Sequence, residues 1–171
     1  NEYDSTDLSI DDQSLVDQID LQLTKSLTPF ITTLITMNSH FPFWDPSKKQ
    51  SPHSPYFNSL SYQDQVIGNL ISTLKKHKVY DDTILVITGD HGMRESITNQ
   101  QILPESMFKI PLIIKLPKNE KRAITYPTNH YQIGKFVLDS MNGKTLEQTN
   151  MMKEKKSFLF FETDRFYYSI I

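Results

Sequence analysis

The sequence contains no cysteine, which excludes disulfide bonds, zinc sites built on thiolates and cysteine nucleophiles. It also lacks any apolar run near the roughly 20 residues that a membrane-spanning helix needs. Its first residues have neither the basic start nor the apolar core of a signal peptide, and there is no initiating Met. We therefore expect a soluble chain that is a fragment or a processed product of a longer protein.

No sign of charge dominates the composition, since 18 Lys and Arg stand against 20 Asp and Glu, for a formal net charge of −2. Nucleic acid and anionic membrane surfaces both attract concentrated positive charge, so neither is a favoured partner. With 171 residues, 37% of them hydrophobic, the chain is long enough for one substantial core. Residues 1–171 are therefore predicted to form one domain or a large piece of one.

Three helices are predicted from apolar residues that recur at helical spacing, over residues 11–27, 61–78 and 133–141. The second is expected to begin at Ser61 with a capping box, and the third to end at Asn142-Gly143. Residues 2–20 contain seven acidic side chains and no basic one. We interpret them as a solvated helix face, with a cation site or an acidic docking tail as alternatives.

Strands are predicted where β-branched and apolar residues run together. Residues 30–37 are expected to form a central strand covered on both faces, 83–88 a buried parallel strand and 111–116 a further strand. A closing hairpin is expected at the carboxyl end, from residues 158–161 and 166–170. The alternation of strands and helices indicates an α/β fold, and its first strand, helix and strand form a βαβ unit.

Polar side chains follow the first two predicted strands. His40 lies three residues beyond Met37, and Asp90 and His91 come directly after the second strand. Because parallel strands end at the same edge of a sheet, we expect these three side chains to lie close together. Carboxylate and imidazole are suitable ligands for zinc, manganese or another transition metal. The alternatives are a simple turn with a helix cap for Asp90-His91 and a hydrogen-bonded loop histidine for His40.

Two further side chains are candidates for contact with substrate. Arg94 follows the Asp-His-Gly triplet and is suited to neutralise an anion, although it is equally a solvated loop arginine. Trp44, in the long polar loop of residues 38–59, either lines a substrate pocket or covers the edge of the sheet. The residue pattern alone does not separate these alternatives.

Three stretches, taken in order, resemble the sulfatase branch of the alkaline phosphatase superfamily, and most of all its phosphoglycerol transferases and lipoteichoic acid synthases. They are TMNSHFPF at residues 36–43, SYQD at 61–64 and YDDTILVITGDHG at 80–92. The resemblance continues through residues 109–114 and, more weakly, 129–133, so it covers most of residues 28–142. The ordered combination is far more specific than any single stretch.

The resemblance implies a three-layer α/β/α sandwich with a mainly parallel sheet, of which residues 1–171 are the carboxyl-terminal portion of a single catalytic domain. It implies that Asp90 and His91 bind manganese, magnesium or zinc, and that the catalytic residue His40 contacts the substrate phosphate or the leaving group. The expected activity is transfer or hydrolysis of a phosphate ester. Its sharper form is phosphoglycerol transfer from a lipid-linked donor. Sulfate-ester hydrolysis and a non-catalytic structural or interaction role are the alternatives.

The chain also departs from the family pattern. The family's nucleophile, a Thr, Ser or modified Cys, and another acidic metal ligand lie in an amino-terminal half that matches nothing here. Gln132 stands where many relatives carry Asp. The resemblance implies a periplasmic or extracytoplasmic location, with the membrane reached only through an upstream segment that the sequence does not contain. We therefore expect this chain alone to be inactive and to hold its metal weakly.

Overall fold

The computed structural model describes residues 11–25, 29–44, 54–92, 109–117 and 128–149, together with the backbone of two strands near the carboxyl end. The chain divides into two compact units, residues 1–121 and 122–171. The first unit contains helices α1 (Asp12–Lys25) and α2 (Pro55–Lys76) and strands β1 (Leu85–Thr88) and β2 (Leu112–Lys115). The second contains helix α3 (His130–Met141) and strands β3 (Leu159–Thr163) and β4 (Phe166–Ile170). Short 3₁₀ helices lie at Tyr80–Asp82 and Leu146–Gln148.

Helix α1 packs against α2, and the buried apolar side chains of the pair are Val16 and Ile19 on α1 and Val66 and Leu74 on α2. Their spacing is that of one helix face, so the apolar periodicity read from the sequence marks the packed side. The first predicted helix is confirmed within two residues at its carboxyl end. Within the described ranges, no helix is long and apolar enough to cross a membrane.

Polar contacts reinforce the α1–α2 pair along its length. The Tyr62 hydroxyl donates to Asp11 Oδ1 at 2.5 Å at one end of the pair. At the other end, the Asp20 carboxylate pairs with Lys76 Nζ at 2.8 Å and with His77 Nε2 at 2.5 Å. Hydrogen bonds from Lys76 and then His77 lower the pKa of Asp20 below its ordinary value. Asp11 and Asp20 therefore contact α2 and the residue after it, whereas the sequence analysis had interpreted the acidic stretch as a solvated helix face.

Helix α2 begins at Pro55, six residues before the predicted start at Ser61, so the proposed capping box was wrong. Ser54 is the N-cap, and its side chain accepts a hydrogen bond from the backbone N–H of Phe57. Proline at the first helical position has its φ already set and lacks an N–H that would need a partner there. The Ser54-Pro55 pair was the local signal that the periodicity of the later residues obscured.

Strands β1 and β2 form an antiparallel pair, in register from Leu85 opposite Lys115 to Thr88 opposite Leu112. The Lys115 ammonium donates to the carbonyl oxygens of Tyr80 and Thr83, which ties β2 to the turn that precedes β1. Desolvation lowers the pKa of Lys115, against the opposing effect of two nearby aspartates. Both strands lie within the ranges predicted for them, 83–88 and 111–116. The prediction of a buried parallel strand at residues 83–88 was wrong, since β1 is partly exposed and pairs antiparallel with β2.

The predicted central strand at residues 30–37 was wrong for the structure as described. The segment is extended but joins no ladder among the described residues, and β1 pairs with β2 instead. Ile31, Ile35 and Met37 are exposed, Ile35 at 74%. A strand of this composition forms when neighbouring strands take its backbone hydrogen bonds and cover its faces. No such neighbour lies in the described residues, so the parallel βαβ unit is not formed.

The second unit confirms the last predicted helix and the closing hairpin. Asn129 and Gln132 form a capping box at the start of α3, each side chain accepting from the other residue's backbone N–H. Gln132 therefore has a structural role as the N3 residue of this helix. After the helix, Gly143 adopts φ 77°, a conformation that favours glycine. Strands β3 and β4 pair antiparallel across Asp164-Arg165, which lies outside the described residues.

Candidate metal and substrate site

Asp90 and His91 lie just beyond β1, after Gly89, and both side chains are open to solvent, at 88% and 71% exposure. Asp90 Oδ1 accepts a hydrogen bond from the backbone N–H of His91 at 2.9 Å. The second carboxylate oxygen, Oδ2, lies 3.6 Å from His91 Nε2. The end of β1 therefore presents one carboxylate oxygen and one imidazole nitrogen side by side.

These two atoms suit a shared divalent cation. His91 Nδ1 lies 2.8 Å from the carbonyl oxygen of Gly92, which can only accept, so Nδ1 is the donor of this contact and Nε2 is the nitrogen available to a metal. Two atoms bonded to one tetrahedral zinc lie about 3.4 Å apart. The observed 3.6 Å is close to that separation. Within the described ranges, however, no group of three or more His, Asp or Glu side chains could enclose a metal.

His40 lies in a turn of the polypeptide between α1 and α2. Its Nδ1 donates to the carbonyl oxygen of Phe41 at 2.6 Å, so Nε2 is the ring nitrogen that is not engaged in this hydrogen bond. The parallel pairing that placed this side chain beside Asp90 is not present among the described residues. Proximity of His40 to Asp90 therefore stays a prediction.

Of the two other residues predicted to contact substrate, Trp44 lies within the described residues and Arg94 does not. Trp44 is part exposed and closes the same turn, where its carbonyl oxygen accepts from Asn38 Nδ2 at 3.5 Å. Nearby, the ring of Phe43 packs edge-on against Tyr56 of α2, with centroids 5.3 Å apart. Arg94 lies outside the described residues.

Sequence reasoning missed one pair next to this turn, Asp12 and Asn38. Both are almost fully buried, at 1% and 3% exposure, and they exchange hydrogen bonds across 26 positions of the chain. Asp12 had been grouped with the solvated acidic residues. The available signal was the Asp-Asp doublet at the helix start, because one carboxylate is enough to cap a helix and the second then needs another role.

The sequence was compared with protein families and with known proteins. The sulfatase family model matches residues 1–143. The lipoteichoic acid synthase-like protein YvgJ of Bacillus subtilis is 25% identical over 134 residues, which are 66% of this chain and 22% of that protein. Lipoteichoic acid synthase 2 of the same organism is 38% identical over 78 residues, covering 40% of this chain and 12% of its own length.

Lipoteichoic acid synthase of Staphylococcus saprophyticus is 32% identical over 84 residues, covering 43% of this chain and 13% of the relative. The chain thus matches less than a quarter of the length of each of these relatives. No solved structure matches significantly.

Proposed function

Because the chain belongs to the sulfatase family, we propose that it is part of a metal-dependent enzyme that transfers or hydrolyses a phosphate ester. The observation that carries the proposal is the Asp90–His91 pair at the end of β1, with Oδ2 and Nε2 separated by 3.6 Å. A structural turn needs neither a free carboxylate oxygen nor a free imidazole nitrogen at that place. Their pairing, in a chain that matches the sulfatase model across both residues, favours a metal centre.

Asp90 Oδ2 and His91 Nε2 would hold manganese, magnesium or zinc, of which the mixed oxygen and nitrogen donors suit the transition metals best. When bound, such a cation supplies positive charge that polarises a phosphoryl oxygen and stabilises a deprotonated hydroxyl nucleophile. The carbonyl of Gly92 fixes the tautomer and orientation of His91, as an outer-shell acceptor does in many metal sites. The nucleophile is proposed to come from the amino-terminal half of the family's domain, to which no part of this sequence corresponds.

His40 is proposed as the catalytic residue that contacts the substrate phosphate or the leaving group. In the neutral ring Nε2 accepts a proton, and in the imidazolium it donates one, while Nδ1 keeps its hydrogen bond to Phe41 in both states. Arg94 and Trp44 are proposed to bind the substrate, the first by charge and the second by its ring. Phosphoglycerol transfer from a lipid-linked donor is the sharper form of the proposal, and the names of the synthase relatives support it.

The complete domain is proposed to be a three-layer α/β/α sandwich with a mainly parallel sheet, in which residues 1–171 supply the carboxyl-terminal portion. The exposed apolar residues of the extended segment 29–37 support this, because further strands would cover them and take up the backbone hydrogen bonds. We place the full-length protein on the periplasmic or extracytoplasmic side, tethered through an upstream membrane segment.

Two alternatives remain in competition. Hydrolysis of a sulfate ester is favoured by the name of the family model itself. A non-catalytic structural or interaction fragment is favoured by the small number of ligands, since the described residues contain no group of three that could enclose a metal. One set of assays distinguishes these two alternatives from each other and from the proposed phosphoryl transfer.

The test uses the full-length protein loaded with Mn²⁺ and assayed on bis(p-nitrophenyl) phosphate and on p-nitrophenyl sulfate. Asp90→Asn and His91→Gln should lose both turnover and bound metal. The loss of affinity should exceed the about 10- to 100-fold that removal of an outer-shell partner costs. His40→Ala should have a lower but measurable turnover and keep its metal. The matched control is Asp64→Asn, which removes an exposed carboxylate on α2 and should change neither.

Each alternative has its own signature in these measurements. Faster turnover of p-nitrophenyl sulfate than of bis(p-nitrophenyl) phosphate would show that the enzyme is a sulfatase and contradict the proposed phosphoryl transfer. Absence of turnover on both substrates, with no metal retained, would favour the non-catalytic role. Loss of metal in His40→Ala would make that residue a ligand or a structural residue.

A further inference from the structure

The turn that carries His40 has little to hold it in place by itself. Two backbone hydrogen bonds define it, from the His40 N–H to the Met37 carbonyl at 3.0 Å and from the Phe43 N–H to the His40 carbonyl at 2.7 Å. The imidazole is exposed, and its Nδ1 contacts the carbonyl oxygen of the next residue, Phe41, at 2.6 Å. Exposed turns of this kind open easily unless groups outside them hold their ends.

The amino-terminal end of this turn is held from α1. Asp12 Oδ1 accepts the backbone N–H of Met37 at 2.8 Å, and Asp12 Oδ2 accepts the backbone N–H of Asn38 at 2.9 Å. In return, Asn38 Oδ1 accepts the backbone N–H of Asp12 at 2.8 Å. Hydrogen bonds from N–H groups to a carboxylate are stronger than neutral ones. Because the Asp12 carboxylate and the Asn38 side chain are buried, water cannot readily replace either partner.

The carboxyl-terminal end is held by the same asparagine and by α2. Asn38 Nδ2 donates to the Trp44 carbonyl at 3.5 Å, so one side chain connects both ends of the turn. The Phe43 ring packs edge-on against Tyr56, with centroids 5.3 Å apart. His40 therefore projects from a turn whose two ends are fixed to two packed helices.

Capping of α1 does not explain Asp12. The preceding residue, Asp11, already caps this helix, because its Oδ1 accepts the Gln13 N–H at 3.0 Å and its carbonyl accepts the Ser14 N–H at 2.8 Å. The Asp12 carboxylate is directed to the turn and not to the first turn of its own helix. The Asp12 carboxylate therefore stabilises the turn at residues 37–44 and is not needed as a cap for α1.

We propose that Asp12 and Asn38 form a positioning pair that fixes the direction and reach of the His40 imidazole. The inference rests on the proposed function, in which His40 contacts the substrate. Neither member of the pair touches substrate itself, and both act only through His40. Catalytic groups must be held closely, since a misplacement of about 1 Å can cost on the order of 100-fold in rate.

The test compares Asp12→Asn in the full-length, Mn²⁺-loaded protein with the same change in a His40→Ala background, on bis(p-nitrophenyl) phosphate. The amide retains the size of the side chain but gives only one acceptor oxygen for the two N–H groups. We expect kcat to fall about 10- to 100-fold, with KM and metal content nearly unchanged. In the His40→Ala background the same substitution should have no further effect on kcat, because the residue through which it acts is gone. An equal fall in both backgrounds would overturn the proposal.

Asp11→Ala is the control for stability, since it removes the helix cap and the Tyr62 contact at the same end of α1. Its kcat should stay near that of the unmodified protein even where its thermal midpoint falls as far as that of the Asp12 variant. If kcat follows the thermal midpoint in both variants, the pair is merely structural. Should the Asp12 variant fail to fold, Asn38→Ala perturbs the same turn from the other side and carries the same expectations.

A spectroscopic measurement separates this proposal from the proposed function. In NMR spectra of the 171-residue chain, Asp12→Asn should shift the His40 ring resonances and speed hydrogen exchange at the amides of residues 37 and 38. Amides of α2 should keep their protection. Unchanged His40 resonances would overturn the positioning role. Absence of turnover in the unmodified full-length protein would instead refute the proposed function, and the NMR result would still decide the role of the pair.

Discussion

Two aspartates on the same helix should differ sharply in what they contribute to stability. Asp12 is 1% exposed and accepts two backbone N–H groups, whereas Asp17 is exposed and accepts from the side chain of Gln13, one helical turn away. Asp12→Ala leaves the buried N–H of Asn38 without an acceptor, which costs about 1–3 kcal/mol. The Met37 N–H is only part-buried and adds less, for a total of about 2–4 kcal/mol. Asp17→Ala should stay within about 0.5 kcal/mol.

Urea unfolding followed by fluorescence measures this difference where it arises. Trp44 is the only tryptophan, and its carbonyl oxygen accepts from Asn38, so its emission reports on the turn and its surroundings. With an m-value of about 2 kcal/mol/M, Asp12→Ala should lower the midpoint by about 1–2 M relative to Asp17→Ala. Equal midpoints for the two variants would refute the assignment of Asp12 to the turn. A double variant with Asn38→Ala should be far from additive, because the two side chains exchange hydrogen bonds.

The remaining predictions concern acid stability and metal binding. Hydrogen bonds, first from Lys76, lower the pKa of Asp20, so this carboxylate stabilises the fold above its ordinary pKa and loses that effect as the pH falls through the lowered value. Asp20→Asn should therefore lower the thermal midpoint at neutral pH, with the difference disappearing in acid; a difference that grows in acid would contradict this. The 171-residue chain should bind Mn²⁺ at least about 10- to 100-fold more weakly than the full-length protein, measured by calorimetry with Asp90→Ala as control. Equal affinities would place the missing ligands within this chain.

Local signals were sufficient for the helices because each helix satisfies its own backbone hydrogen bonds. The apolar periodicity of α1 and α3 predicted both, and Asn142-Gly143 marked the end of α3. The start of α2 was misplaced since the capping pattern at Ser61 looked complete, while the effective cap at Ser54 came from a polar loop. For α2 the prediction failed in the choice between two plausible starts, and α3 begins at His130, three residues before its predicted start.

Strand pairing depends on partners that the strand's own residues do not specify. The apolar run at residues 30–37 resembles a buried strand, yet its neighbours in a ladder are absent from the described residues. Strands β1 and β2 were located correctly because both are apolar, β-branched runs and because each is the partner of the other within this chain. The residue types of Asp90 and His91 were enough to predict a metal pair, but the position of His40 relative to them depends on strand pairing and could not be predicted in the same way.

The extended segment and the position of His40 are coupled through one residue. Met37 ends the segment, and its backbone N–H is held by Asp12, so the register of residues 29–37 is already fixed at one end by α1. The side chains alternate over the last four residues of this segment, with Ile35 and Met37 exposed while Leu34 and Thr36 are partly covered. A strand that pairs with this segment in the complete domain must therefore accept the register that Asp12 imposes, since a shift of one residue would reverse every side chain. The carboxylate that fixes this register also fixes the turn of His40, which ties assembly of the sheet to the geometry of the proposed site.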